Sequence, residues 1–261
     1  MNKPISIAFG GAGAFGLSYI GVVKYFQQHA IVPDELAGTS MGAIIASFWS
    51  IGLSWQEMRF AFENIRNWWI WAVQFWEISD ILDRGGIADT DIVMNELLKP
   101  YLPKTWDRFR IPLFITTTNL TTKRMEVFSK TNPTLSPCEA VYASMAVPLA
   151  FRGLRKNGGL YFDGGIVSQN PVELLNGENR ILVAPMKEIA KYHEPHGLLE
   201  IGMALAETMF QDASESDLRN IDYKVIYSGS HNIQNFLDFS YVDENIELGY
   251  QNAKKFFEEV I

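Results

Sequence analysis

The chain has 261 residues, 48% apolar and 20% charged, enough to bury a core without help from a metal or a disulfide. Thirty acidic against 22 basic residues give a net charge of −8, which leaves no cationic excess to replace counterions on nucleic acid. Cys138 is the one cysteine; it excludes an intramolecular disulfide and a Cys-rich zinc site, and it fits a reducing compartment.

Residues 5–23 (ISIAFGGAGAFGLSYIGVV) are uncharged behind Lys3 and imitate a signal peptide or a membrane span. Glycines at 10, 11, 13, 16 and 21 make this stretch poor helix and good turn. The predicted order is therefore a buried strand Ile5–Phe9, a glycine loop and a helix Leu17–His29. No cleaved leader and no spanning helix are expected, so the expected location is cytoplasmic or peripheral at a membrane.

Further along, Glu35–Ala37 leads into a helix over Gly42–Ile51, followed by helical patterns at Trp55–Ile65 and Asp91–Leu98. Apolar runs predict strands at Pro112–Thr118, Glu126–Ser129, Leu160–Phe162, Ile181–Ala184 and Tyr223–Tyr227. Helices are predicted at Cys138–Met145, Leu198–Phe210 and Asn245–Val260. Strands alternating with helices indicate an α/β domain around a mainly parallel sheet. Runs such as ISIAF and ILVA are apolar throughout, as strands covered on both faces should be. One domain over 1–261 is expected, with a Trp-rich cap or lid insertion at about 54–100, because residues 55–76 hold five of the seven tryptophans.

Three constellations carry chemistry. Gly10-Gly11-Ala12-Gly13-Ala14-Phe15-Gly16 lies between a strand and a helix. Read as Gly11-x-Gly13-x-x-Gly16, with Asp34 some twenty residues on, it fits a dinucleotide fingerprint. More generally, such a loop turns backbone amides toward a negative charge, either a pyrophosphate or the oxyanion of acyl transfer.

Gly38-Thr39-Ser40-Met41-Gly42 is G-x-S-x-G before an apolar helix, the pattern of a tight turn that presents a serine hydroxyl. The Met41 amide would face the same space as the amides of Gly10, Gly11, Ala12 and Gly13. A nucleophile beside an anion cradle makes an acyl-transfer site. The plainer alternative is a serine that caps a helix between packing glycines.

Asp163-Gly164-Gly165 follows the strand-like Gly159–Phe162. An aspartate in a glycine turn often just closes an Asx-turn, yet the Ser40 proton needs an acceptor. His29 ends a helix, while His193, His196 and His231 lie in polar loops. A Ser40–Asp163 dyad is more economical than a Ser40…Asp163…His231 triad, whose nucleophile would normally follow several strands.

With these residues in place, the sequence resembles the patatin-like phospholipase family. The resemblance runs through the opening glycine loop, GTSMG, PLFITTTNL at 112–120, ASMAVPLAF at 143–151, DGGIVSQNP at 163–171 and the closing LGYQNAKKFFE. It implies a three-layer α/β/α sandwich of the patatin/malonyl-transferase type. It also implies Ser40 as nucleophile, Asp163 as base and the Gly10–Gly13 loop as oxyanion hole, hydrolysing acyl esters of membrane lipids without cofactor, calcium or other metal. Pro148 reads as ending a helix that braces the site. Two departures stand out: Ala12 replaces a third consecutive glycine, and Phe15 replaces a basic residue. The second favours a neutral acyl ester, a lysolipid or a glycolipid over a bound phosphate headgroup.

Trp68, Trp69, Trp71 and Trp76 can face lipid, form an aromatic core layer or make a dimer contact. The segment Trp55–Trp76 is charge-balanced, so transient membrane contact would rest on aromatic burial. An acyltransferase or thioesterase on the same architecture, a dinucleotide-binding protein and an inactive scaffold stay open as alternatives. Oligomeric state is not legible.

Overall fold

The first apolar run becomes strand β1 (Ser6–Phe9), which lies inside the sheet with strands hydrogen-bonded on both sides. In this computed structural model, the residues described are 4–73, 86–88, 93–185, 201, 204–205, 208–213, 221–230 and 238–260; the side chains of 65–73, 86–88 and 260 lie outside that description. The remaining strands are β2 (Glu35–Gly38), β3 (Gly86–Ala88), β4 (Leu113–Asn119), β5 (Arg124–Phe128), β6 (Leu149–Phe151), β7 (Leu154–Lys156), β8 (Gly159–Asp163), β9 (Arg180–Ala184) and β10 (Lys224–Tyr227). Helices α1 (Ser18–Gln28), α2 (Met41–Ser50), α3 (Trp55–Val73), α4 (Pro137–Met145) and α5 (Val242–Val260) pack around them.

Strands β10, β9, β1, β2 and β4 run parallel in that order, and β5, β8 and β7 extend the sheet antiparallel. The register on β4 matters for the site. Ile115 pairs with both Gly38 of β2 and Phe128 of β5, and Thr117 pairs with both Glu126 of β5 and Asp163 of β8. A strand has two edges, so β2 and β8 share the edge opposite β5. They lie end to end along it, and the residues leaving β2 run into the end of β8.

Alternation explains why both faces of the sheet are buried. Ile7, Phe9, Leu36, Ile181 and Val183 join the large core with α1, α2, α4 and α5, while Ala8, Ala37, Leu182 and Ala184 join Val172 and Leu175 on the other face. This mixed sheet flanked by helices is the three-layer α/β/α class predicted.

Helix α4 starts on a capping box: Ser136 Oγ accepts from the Glu139 amide, and the Glu139 carboxylate accepts from Ser136 N–H, with Pro137 in the first turn. Helix α3 is anchored at its base. Gln27 donates to Leu53 O and accepts from Trp55 N–H, Lys24 lies 5.0 Å from the Trp55 ring, and Arg59 pairs with Asp243 of α5.

Element boundaries shift in places. Helix α3 continues past the predicted Ile65 to Val73. The predicted helix Asp91–Leu98 is a π-turn over Val93–Leu98. Three short strands, β3, β6 and β7, were not predicted, and of Leu198–Phe210 the described residues are helical.

Candidate active site

Gly38 ends β2, and two residues later Ser40 opens α2 with φ 54° and ψ −123°. A serine at positive φ is strained by about 1–3 kcal/mol, and such strain persists only where surrounding contacts impose it. Gly42 allows the turn: a Cβ there would collide with the carbonyl oxygen of Phe9, so α2 starts directly against the end of β1. Ser40 stands at the N-cap position, yet its side chain makes no capping hydrogen bond. The plainer role weighed from the sequence, a capping serine, is therefore not what this hydroxyl does.

The tandem arrangement on β4 brings Asp163 to the same point. Its carboxyl is 1% exposed and Ser40 is 7% exposed. Asp163 Oδ1 accepts from the Gly165 amide at 2.8 Å, an Asx-type closure, but the buried Oδ2 has no hydrogen-bond partner. Burial pushes the Asp163 pKa up to about 7, against smaller downward pulls from the Ser40 hydroxyl and the Gly165 amide. The serine side chain is thus close enough to act on the carboxyl, and one carboxylate oxygen has no fixed partner.

The glycine loop faces this pair from the end of β1. Gly13 has φ +52°, the left-handed region that glycine enters freely. Ala12 has φ −154°, so it stays out of the left-handed region that favours glycine. Not every amide in the loop is available. Gly10 N–H donates to Val183 O and Gly11 N–H to Gln169 O, and the Gln169 side chain in turn donates to Gly11 O at 2.6 Å. Among the described residues, no protein acceptor takes the amides of Ala12, Gly13 or Met41. The donors left for an anion are these three rather than all five positions expected.

Hydroxyls from β4 support the floor. Thr39 Oγ1 lies 2.6 Å from Thr116 Oγ1 and donates to Ser168 O, while Thr118 Oγ1 donates to Asp163 O at 2.8 Å. Ser144 Oγ accepts from Ser40 N–H at 2.9 Å, and Ala146 O accepts from Asp163 N–H at 3.0 Å. Sequence reasoning missed Ser144, Thr116, Thr118 and Gln169. Their signals lay inside ASMAVP, ITTTN and IVSQNP, where only Pro148 was singled out.

The dinucleotide alternative fails on topology. A ribose-binding acid belongs at the carboxyl end of the second strand. Asp34 instead precedes β2, where its carboxylate accepts from Ile5 N–H at 2.9 Å, and the space over Gly11 is filled by Gln169. His29 stacks on Tyr25 and hydrogen-bonds Tyr25 O at the end of α1. His193, His196, His231 and Trp76 lie outside the described residues, as do the side chains of Trp68, Trp69 and Trp71 in α3. No helix among the described residues is long and apolar enough to cross a membrane.

The family profile for patatin-like phospholipase matches residues 7–176, which span the glycine loop, Ser40, Ser144 and Asp163. This chain belongs to the patatin-like phospholipase family. Protein R571 of Acanthamoeba polyphaga mimivirus is 26% identical over 183 residues, covering 66% of this chain and 62% of that one. Lysophospholipase NTE1 of Cryptococcus neoformans is 27% identical over 193 residues, covering 72% of this chain but 11% of the relative. The patatin-like chain thus spans less than two thirds of each relative's length. Among solved structures, VipD from Legionella pneumophila superposes with a TM-score of 0.55 at 17% identity, over 99% of this chain and 67% of that one. That likeness is one of fold.

Proposed function

We propose that the protein is a lipid acyl hydrolase that cleaves carboxylic ester bonds through a Ser40 acyl-enzyme with Asp163 as the base. The observation that carries this reading is the pairing of a strained, uncapped serine with a buried carboxyl whose second oxygen has no fixed partner.

Ser40 Oγ attacks the ester carbonyl carbon, and its proton passes to the Asp163 carboxylate. The carbonyl oxygen becomes an oxyanion that accepts from the amides of Ala12, Gly13 and Met41; one such donor is worth about 3 kcal/mol. As the tetrahedral centre collapses, the C–O bond to the leaving alcohol breaks and the alcohol takes the proton from Asp163. Water then attacks the Ser40 ester with Asp163 as base, releasing the carboxylic acid and restoring the serine. A base that titrates near 7 is far better matched to this transfer at neutral pH than an ordinary carboxylate.

The proposed substrates are phospholipids, lysophospholipids or related acyl lipids met at a membrane surface. The fungal relative is named a lysophospholipase, and Phe15 in place of a basic residue points to single-chain or neutral esters. The test is a fluorophosphonate probe together with lysophosphatidylcholine hydrolysis by the wild type, Ser40→Ala and Asp163→Asn. Probe labelling and acid release should both disappear in Ser40→Ala and fall at least a thousandfold, roughly, in Asp163→Asn. An Asn variant with most of its kcat would end the dyad assignment.

A further inference from the structure

We propose that residues 144–146, at the C-terminal end of α4, act as a caliper that sets the separation of Ser40 and Asp163 by holding one backbone amide of each. The proposal rests on the reading of those two residues as nucleophile and base. Ser40 N–H donates to Ser144 Oγ at 2.9 Å, and Asp163 N–H donates to Ala146 O at 3.0 Å. The two acceptors sit two residues apart on one stretch of chain. Ser40 cannot move away from Asp163 without lengthening one of these bonds.

The sheet does not fix the separation by itself. Strands β2 and β8 lie in tandem on β4, and no register pairs one with the other. Ser40 has also left β2 and stands in a backbone conformation that relaxes elsewhere unless held. The holding element is stiff. Helix α4 is closed at its start by the Ser136–Glu139 box, and Tyr142 donates from its hydroxyl to Arg152 O at 2.6 Å. At the far end Ala146 N–H returns to Ala143 O and Val147 N–H to Met145 O. Ser144 is fully buried and its hydroxyl oxygen accepts from the Ser40 amide, so it acts through Ser40. It is a positioning residue.

Its influence on the chemistry runs through Asp163. The influences on that carboxyl are burial, the Ser40 hydroxyl and the Gly165 amide, and no charged group is among them. Among the described residues the packed elements contribute neutral neighbours there: Ser40 ahead of α2, Gly165 of the following turn, Thr117 and Thr118 of β4, and Ala146 beyond α4. Once its amide is released, Ser40 can draw its hydroxyl away from the carboxyl; that weakens one of the two influences that favour ionisation, and Asp163 becomes harder to ionise.

The test compares the wild-type chain with Ser144→Ala and Ser144→Cys, the latter keeping volume while offering only a weak acceptor. Three readouts are used: kcat and KM on a short-chain p-nitrophenyl ester, the pH dependence of kcat/KM, and carboxyl 13C NMR titration of Asp163 in aspartate-labelled protein. Both variants should lose about tenfold to a hundredfold in kcat with KM within about threefold. The acid limb and the NMR midpoint should both move to higher pH. An unchanged midpoint overturns the caliper whatever happens to kcat, since a merely structural role would slow turnover and leave the titration of Asp163 where it is. If the wild type hydrolyses no ester, the proposed function falls, and the NMR midpoints still decide the caliper. Should the alanine variant not fold, Ser144→Cys carries the same comparison.

Discussion

Asp163 and Glu35 are both buried carboxylates, and the protein surrounds them in opposite ways. Asp163 ends β8 at the carboxyl edge of the parallel strands, holds one amide and leaves Oδ2 without a partner. Glu35 begins β2 at the opposite edge and is saturated. It accepts from Ser6 Oγ, the Asn176 amide and side chain, and the Gly177 amide. Burial drives the Asp163 pKa up to about 7. At Glu35 burial also pushes upward, but the hydrogen bonds from Gly177, Asn176 and Ser6 outweigh it and the net shift is downward. One carboxylate is poised to take a proton; the other is fixed as a charged latch.

The first consequence is a pH profile. Only ionised Asp163 can accept the Ser40 proton, so kcat/KM on a soluble ester should climb with pH and level off above an apparent pKa near 7. A profile already flat down to pH 5 would show that the group in control titrates like an ordinary carboxylate.

The second concerns stability at the same residue. A folded pKa raised above the ordinary 3.8 means that ionising Asp163 opposes folding. The penalty is absent below pH 3.8, grows as pH rises toward 7 and is constant above. Its ceiling is on the order of 4 kcal/mol. Asp163→Asn removes it and keeps an oxygen for the Gly165 amide. This variant should therefore melt several degrees above the wild type at pH 8, with the gap closing by pH 4. Melting curves at the two pH values decide it.

At Glu35 the sign reverses. Its folded pKa lies below the ordinary 4.5, so its contribution is full above that value and is lost as pH falls through the folded pKa. Glu35→Gln presents an amide to donors that need an acceptor, and should cost about 1–3 kcal/mol in urea unfolding at pH 7. The difference should narrow at pH 3. Turnover should change little, because the latch sits at the far edge of the sheet from Ser40.

How much of this could be read from the chain depends on how local each signal is. The glycine loop, GTSMG and DGG are contiguous and are required by close backbone approach, as at Gly42 against Phe9, so they stood out. Strands β1 and β9 were legible because burial on both faces makes them continuously apolar. Strand β7 was missed although Asn157-Gly158, with φ 49° and 77°, is a sequence-readable hairpin turn; its partly exposed Leu-Arg-Lys has no apolar run to mark it. Strands β3 and β6 have three residues each and are defined by pairing with each other, which no local pattern reveals. Ser144 was illegible for a related reason. Its partner is an amide 104 positions away, and a serine inside a helix carries no sign of that. The loss of Gly10 and Gly11 as free donors likewise depends on β9 and Gln169, distant in sequence.

The last prediction comes from a helix crossing far from the chemistry in sequence but joined to it in space. A Cβ on Gly21 of α1 would strike the carbonyl oxygen of Ile246, and one on Gly249 of α5 would strike that of Ser18, so the two helices meet backbone to backbone. Ser18 is also a strut of the glycine loop: its hydroxyl bonds Phe15 O at 3.0 Å and lies 2.7 Å from Ser228 Oγ. Either alanine substitution should cost about 1–3 kcal/mol through overpacking. The two should differ in activity. Gly249→Ala pushes directly on Ser18 and should lower kcat severalfold by loosening the loop that carries Ala12 and Gly13, while Gly21→Ala acts nearly one helical turn further along and should leave kcat within about twofold. Equal losses of kcat at matched stability would mean that the crossing supports the fold as a whole and that Ser18 transmits nothing to the loop.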